Sequence, residues 1–288
     1  MKVRIFTIAF GEHYLDWFER GLVRSLMWPK NRAAIRGWVE AYDVWTTAGS
    51  ADQARWIAER VGVPVDLHIL GGTDRAALFP ALMAQMELCV GKAFIFAGPD
   101  ILFGDGTIGH LIEAGRVPGI CVSFMPLRVN EPGFIEGMDG EPYSNARLVK
   151  YGMSRAHRGF TDGEATRERT NSYHSGMSWR TLSEGLYAVT GRCPSAFYMQ
   201  PSRRDIKWFL DRPKFGNYDH QFGKVLVDAQ RQRVIGSSDA AFAVEVTPLA
   251  AGVAPMETTD PNDPDRFNQD LSHYAANRNV LAIWRAGE

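Results

Sequence analysis

The stretch Ala93 to Thr107, AFIFAGPDILFGDGT, sets one carboxylate, Asp100, between two apolar runs. Ala93 to Ala97 is apolar throughout and rich in aromatics, the pattern of a strand buried on both faces in a parallel sheet. The run breaks at Gly98-Pro99 and resumes at Ile101-Leu102-Phe103. Ligands of open α/β sheets bind beyond the carboxyl ends of the strands, so Asp100 stands where a metal ion and a diphosphate would be met. Asp105, in the turn GDGT, reads instead as a turn aspartate ahead of Thr107, and Asp239 in SSDAAF reads the same way. Asp219 opens a helical pattern, where an aspartate serves as a cap or as a base. His174 lies beside Ser175-Gly176 and is either a structural loop histidine or an imidazole for metal or phosphate. Positive charge gathers at Arg155, His157, Arg158, Arg167 and Arg169, which reads as a solvated loop or a binding patch.

The elements that must position these groups are legible from periodicity. Val3 to Phe10 is a strand candidate. The helix after it carries Tyr14, Phe18, Leu22 and Leu26 four apart and is stopped by Pro29. Gly37 to Thr47 alternates as a second strand, and Ser50 with Gln53 forms a capping box for a helix closed by Gly62. Val65 to Leu70 is a third strand, Leu78, Leu82 and Met86 mark another helix, and Ala93 to Ala97 is the fourth strand. A short helix, Ile108 to Ala114, leads to a fifth strand, Gly119 to Phe124. This alternation over about 120 residues predicts a mostly parallel, right-handed α/β sheet flanked by helices.

From Pro126 to Tyr173 glycine, proline and charge dominate and periodicity is lost, as in a functional or mobile loop. Beyond it the pattern gives an irregular helix over 179–189, a short strand over 195–199 and a helix over 217–229. A strand through Phe242, Val244 and Val246 and a terminal helix over 267–284 complete the chain. No linker or repeat divides it, so 1–288 is expected to be a single domain.

With 288 residues, 45% hydrophobic and 23% charged, the chain has ordinary globular composition. A net charge of −1 excludes bulk basicity as a route to nucleic acid and requires a local patch instead. Three cysteines, Cys89, Cys121 and Cys193, make no disulfide framework or zinc knuckle. No run approaches membrane-spanning length and the start does not read as a signal peptide, so a cytoplasmic protein without a membrane partner is expected.

Neither a GxxxxGK[ST] loop nor a G-x-G-x-x-G turn is present, so a diphosphate must be met by other means, usually a carboxylate-held divalent cation. The pattern FIFAGPDILF resembles the metal-binding corner of GT-A glycosyltransferases, whose motif is usually D-x-D followed by an apolar trio. Their first aspartate falls on Gly98 and their second on Asp100. YHSGMSW, Tyr173 to Trp179, is similar to the family's small-residue segment near the acceptor, and Tyr218-Asp219-His220-Gln221-Phe222 to its later acidic residue at a helix start. The G-P-D version also resembles the glycosyltransferases found beside TET-like phage dioxygenases, which act on 5-hydroxymethylcytosine in DNA.

That resemblance implies a GT-A-like fold, with 1–125 binding a nucleotide sugar, UDP-linked by family habit, and a loop-rich mixed half, 126–288, binding the acceptor. It implies Mn2+ or Mg2+ on Asp100, completed by His174, His220 or His273, with His220 the metal-ligand candidate. Asp219 is the candidate base of an inverting reaction. Donor-binding candidates are Thr7, Ala9, Phe10, Tyr14 and Thr46 for the nucleoside, with Gly98, His174, Ser175 and Gly176. Trp179, Trp208 and Phe215 are candidates to stack on a sugar or base, or else core aromatics. A DNA acceptor would need phosphate contacts, for which Arg155, Arg158, Arg167, Arg169, Arg203, Arg204 and Lys207 are the candidates. A glycan or protein acceptor, or a non-catalytic nucleotide-sugar-binding protein, is the alternative.

Overall fold

The computed structural model describes residues 2–73, 75–131, 133–161, 177–192, 197–210, 232–248 and 279–288. In chain order the first half runs β1 (Val3–Ile8), α1 (Gly11–Trp17), a π-helical stretch (Phe18–Val23), α2 (Arg24–Leu26), α3 (Pro29–Trp38), β2 (Val39–Thr46), α4 (Ala51–Glu59), β3 (Val65–Ile69), α5 (Arg75–Leu88), β4 (Ala93–Phe96), β5 (Ile101–Phe103), α6 (Thr107–Ala114) and β6 (Cys121–Ser123). The second half adds β7 (Leu127–Glu131), α7 (Asn145–Met153), α8 (Arg158–Thr161), β8 (Met177–Ser183), β9 (Leu186–Arg192), β10 (Tyr198–Met199), α9 (Arg203–Leu210), β11 (Gln232–Val234), β12 (Ala243–Pro248) and β13 (Asn279–Arg285).

The chain is an α/β protein. Its main sheet has the order β11-β6-β10-β4-β1-β2-β3. β3, β2, β1 and β4 are parallel neighbours, and β10 enters antiparallel between β4 and β6. Alternation along β1 explains why both faces are covered. Val3 and Ile5 join one core with Leu15, Phe18, Leu22 and Ile57, while Phe6 and Ile8 join another with Leu78, Leu82 and Met86. A third core, around Trp17, Leu102, Phe160, Phe242 and Trp284, lies under two smaller sheets, β5-β12-β7 and β13-β9-β8.

Several local expectations change. Pro29 does not merely stop a helix; it occupies the first turn of α3, where its missing N–H costs nothing. The segment 179–189 is not an irregular helix but the greater part of the β8–β9 hairpin, and 279–285 is a strand where a terminal helix was expected. The segment read as an irregular loop after Pro126 contains β7, α7 and α8; the Ser144 hydroxyl caps α7 by accepting from Arg147 N at 3.2 Å. The expected helix over 217–229 lies outside the described residues. Tyr14 does not share the buried face of its helix. A strict four-residue repeat drifts by about 40° per step round an α-helix, and Leu15 fills the inward position while Tyr14 is 42% exposed. Among the described residues no helix is long and apolar enough to cross a membrane.

Candidate functional site

Because β1, β2, β3 and β4 are parallel, their carboxyl ends meet at one edge. Backbone hydrogen bonds tie that edge together beyond the strands: Ala9 N donates to Trp45 O at 3.0 Å, Leu70 N to Thr46 O at 2.8 Å and Ala97 N to Phe6 O at 2.9 Å. The chain leaves β4 through a turn closed by Ile101 N donating to Gly98 O at 3.0 Å. Asp100, half-buried in that turn, accepts at its own carbonyl from Val246 N of β12 at 2.8 Å. It is therefore fixed at the seam between the main sheet and the sheet β5-β12-β7. A Cβ built on Gly98 would come within 2.6 Å of Asp100 Oδ1, so the carboxylate is folded back over the glycine.

Helix α1 brings the side chains that face this corner. Gly11, with φ of +73°, lets the chain turn directly from β1 into the helix. Phe10 and Tyr14 follow one another along the edge, with ring centroids 6.2 Å apart. Burial pushes the Tyr14 phenol above its ordinary pKa, and the negative charge of Asp100 adds to the shift. Tyr14 thus remains a neutral donor beside the carboxylate well above neutral pH.

A second carboxylate, not singled out from the sequence, meets helix α1 from the smaller sheet. Glu131 ends β7 in register with Pro248 of β12, the strand whose Val246 holds Asp100. Trp17 Nε1 donates to Glu131 Oε1 at 2.8 Å, and His13 Nε2 lies 3.7 Å from Oε2. The His13 and Trp17 rings are 4.0 Å apart. The spacing of His13 and Trp17, four residues apart behind the first strand, was the available signal; Glu131 sits in a segment with no periodic pattern. Helix α1 thus meets Glu131 through His13 and Trp17, while its Tyr14 feels the charge of Asp100. Among the described residues no three His, Cys, Asp or Glu side chains gather to hold a metal ion. A cation here would take Asp100 as its protein ligand and complete its shell with ligand phosphates and water, a donor set that suits Mg2+ or Mn2+.

The other predicted positions divide clearly. Thr7 must be withdrawn from the nucleoside set: it is fully buried, its Oγ1 donates to Ala97 O at 2.8 Å, and it shares a 2.8 Å hydrogen bond with Tyr42 OH. Ala9, Phe10, Tyr14 and Thr46 do lie at the carboxyl edge, and the buried Thr46 hydroxyl has no hydrogen-bond partner among the described residues. Ser50 makes no capping box; its Oγ accepts instead from Gly11 N and from Thr47 Oγ1, both at 3.2 Å, which ties the β2 exit to the start of α1. Asp105 is structural as read, accepting at Oδ1 from Lys30 N at 2.8 Å and Asn31 N at 3.0 Å in the first turn of α3. Asp239 is a turn residue 3.5 Å from Arg285, and Trp179 is a core aromatic whose Nε1 donates to Phe160 O at 3.0 Å. His174, Ser175, Gly176, Asp219, His220, His273, Phe215, Arg167 and Arg169 lie outside the described residues.

Among the described residues, Arg203, Arg204 and Lys207 do not reach this corner. Arg203, Arg204 and Lys207 are exposed on α9. That helix follows β10, which runs antiparallel to β4 and finishes with Met199 opposite Phe94. It therefore starts from the amino-terminal edge of the parallel strands, opposite Asp100. Arg155 is engaged elsewhere, its guanidinium 4.9 Å above the Tyr151 ring, and Arg158 belongs to α8.

No protein-family model matches the chain, and no curated protein matches it either. Similar solved structures include S. aureus TarS 1–349 in complex with UDP, at 12% identity over 86% of this chain and 61% of that one, TM-score 0.46. Mannosyltransferase PcManGT from Pyrobaculum calidifontis, in complex with GDP-Man and Mn2+, is 12% identical over 96% of this chain and 70% of that one, TM-score 0.45. The inositol-1-phosphate CTP transferase from T. maritima is 11% identical over 88% and 91%, TM-score 0.40. The chain thus spans less than two thirds of the TarS structure, and likenesses this distant assign no substrate, metal or residue.

Proposed function

We propose that this chain is a GT-A-type glycosyltransferase that moves a sugar from a nucleoside-diphosphate sugar, UDP-linked in the first instance, to a hydroxyl acceptor. The observation that carries the proposal is Asp100, a half-buried acid whose backbone carbonyl is held by Val246 N at the carboxyl edge of a mostly parallel sheet that has no glycine-rich phosphate loop. Phe10 and Tyr14, with the Ala9 backbone, would receive the nucleoside at the end of β1; the Thr46 hydroxyl, as buried as that of Thr7, would not reach it. A divalent cation at Asp100, when bound, supplies Lewis-acid neutralisation of the diphosphate leaving group. Tyr14 would donate from its neutral phenol toward the same oxygens. From the sequence resemblance, Asp219 would accept the acceptor's proton, His220 or His174 would complete the cation's ligands, and Ser175-Gly176 would line the acceptor side.

The resemblance of G-P-D to the phage enzymes nominates 5-hydroxymethylcytosine in duplex DNA as the acceptor. The disposition of charge favours the alternative, a glycan or protein hydroxyl. Among the described residues, Arg203, Arg204 and Lys207 start from the opposite edge, whereas a DNA phosphate backbone needs cations beside the flipped base. The test is to incubate the protein with UDP-sugars and Mn2+ and either hydroxymethylated duplex DNA, a glycan array or a protein acceptor, following UDP release and product mass. UDP release with glycan or protein product is expected. Sugar on DNA alone would overturn the acceptor assignment. No UDP release with any acceptor, and no UDP-sugar binding by calorimetry, would overturn the enzyme assignment itself.

A further inference from the structure

The glycine of G-P-D is not an empty place where a first aspartate has been lost. Gly98 has no positive φ, so backbone freedom does not require it. What requires it is space. A Cβ at residue 98 would lie 2.6 Å from Asp100 Oδ1, closer than real Cβ contacts come, while its next neighbour, Ile101 Cγ1, is at an ordinary 3.4 Å. The obstructing atom is thus the end of a short side chain, with no backbone in the way.

This geometry, resting on the reading of Asp100 proposed above, concerns placement. A Cβ at 98 is accommodated only if the Asp100 carboxylate turns away from it, and that turn costs the site its carboxylate direction. Asp100 itself cannot follow by moving its backbone, because its carbonyl is held by Val246 N at 2.8 Å and the turn is closed by Ile101 N on Gly98 O at 3.0 Å.

We infer that Gly98 is a positioning residue: its lack of a side chain lets Asp100 fold back over the strand end and present, from one carboxylate, the oxygens that a two-aspartate motif would supply from two. It follows that restoring the missing acid would not improve the site. A carboxylate at 98 would compete for the volume that Asp100 Oδ1 fills, and two like charges this close oppose each other's ionisation.

The experiment measures Mn2+ binding by electron paramagnetic resonance in the presence of UDP, GDP, CDP, ADP or dTDP, for the full chain and for Gly98→Ala, Gly98→Asp and Asp100→Ala. Thermal melts are run beside it. The expected result is a wild type that binds Mn2+ with at least one nucleotide and an Asp100→Ala variant that does not. Gly98→Ala and Gly98→Asp should each weaken binding by about 10–100-fold, the usual loss when a metal ligand is misdirected, with Gly98→Ala still melting cooperatively as a folded protein. Wild-type-like Mn2+ affinity in Gly98→Ala, or tighter binding in Gly98→Asp, would overturn the inference and leave the Asp100 reading intact. Absence of Mn2+ binding by the wild type with every nucleotide would overturn the Asp100 reading and the inference with it.

Discussion

Replacing Asp43 by alanine should destabilise the protein by about 3 kcal/mol, near the low end of the range for breaking a buried ion pair. Asp43 is fully buried in β2 and meets Arg4 in a two-pronged contact, Nε to Oδ2 and Nη2 to Oδ1, both at 2.6 Å. His68 Nε2 at 3.1 Å and Gln85 Nε2 at 2.8 Å complete its partners. Burial alone would raise the carboxyl's pKa; the hydrogen bonds from Arg4, His68 and Gln85 outweigh it and hold the group below its ordinary value. Without the carboxylate, an Arg4 side chain only 13% exposed keeps just the more exposed Asp66 and the more distant Glu40, 3.5 Å away. That partial compensation is why the lower figure applies. Urea melts should show the loss, and the melting temperature should fall by about 6–12 °C on the usual conversion for larger domains. The pH dependence has a definite sign. With its folded pKa depressed, Asp43 contributes stability that is full above the unfolded value of about 4 and is lost as pH falls through the folded one. Asp43→Asn should therefore flatten the acid limb of the stability curve. A variant within about 1 kcal/mol of wild type, with the acid limb unchanged, would refute the reasoning. The consequence reaches the site, because Trp45 stacks on His68, bonds Gln85 through Nε1, and accepts the Ala9 N–H at the exit of β1.

Further outcomes follow from single contacts. Asp105→Ala should cost about 1 kcal/mol by uncapping α3, whose Lys30 and Asn31 amides it binds, with no change in nucleotide affinity; urea denaturation and calorimetry together test this. Asp100→Asn should lower the Tyr14 phenol pKa toward its ordinary value while leaving the part due to burial, as followed by NMR titration of labelled tyrosines; an unchanged value would show that the two groups are not neighbours.

The first four βα units were legible because strand patterns, helix periodicity and glycine stops agreed with one another, and that agreement also located Asp100. The same rules misjudged residues whose role depends on neighbours distant in sequence. Thr7 has the right type and strand for a ligand contact, yet points into the sheet toward Tyr42 and Ala97. The β8–β9 hairpin turns at Gly185, with φ of +68°, between strands whose mixed polar and apolar residues carry no clean period of two. β10 is two residues long and acquires its identity only by pairing with Ile95 and Phe94 on one side and Val122 on the other. Glu131 became visible only when β7 paired with β12 and brought it to Trp17. Local signals thus fixed where the edge lies, while the acids and aromatics that furnish it depend on pairings between segments more than a hundred residues apart.

The measurement that tests the central claim most directly is donor turnover by Asp100→Ala. With UDP-sugar, Mn2+ and a productive acceptor, kcat/KM should fall by at least about a hundredfold, the scale of losing a principal electrostatic contact to the leaving group, while the melting temperature stays near that of the wild type. Undiminished turnover in a folded Asp100→Ala variant would contradict the assignment of Asp100 to the diphosphate.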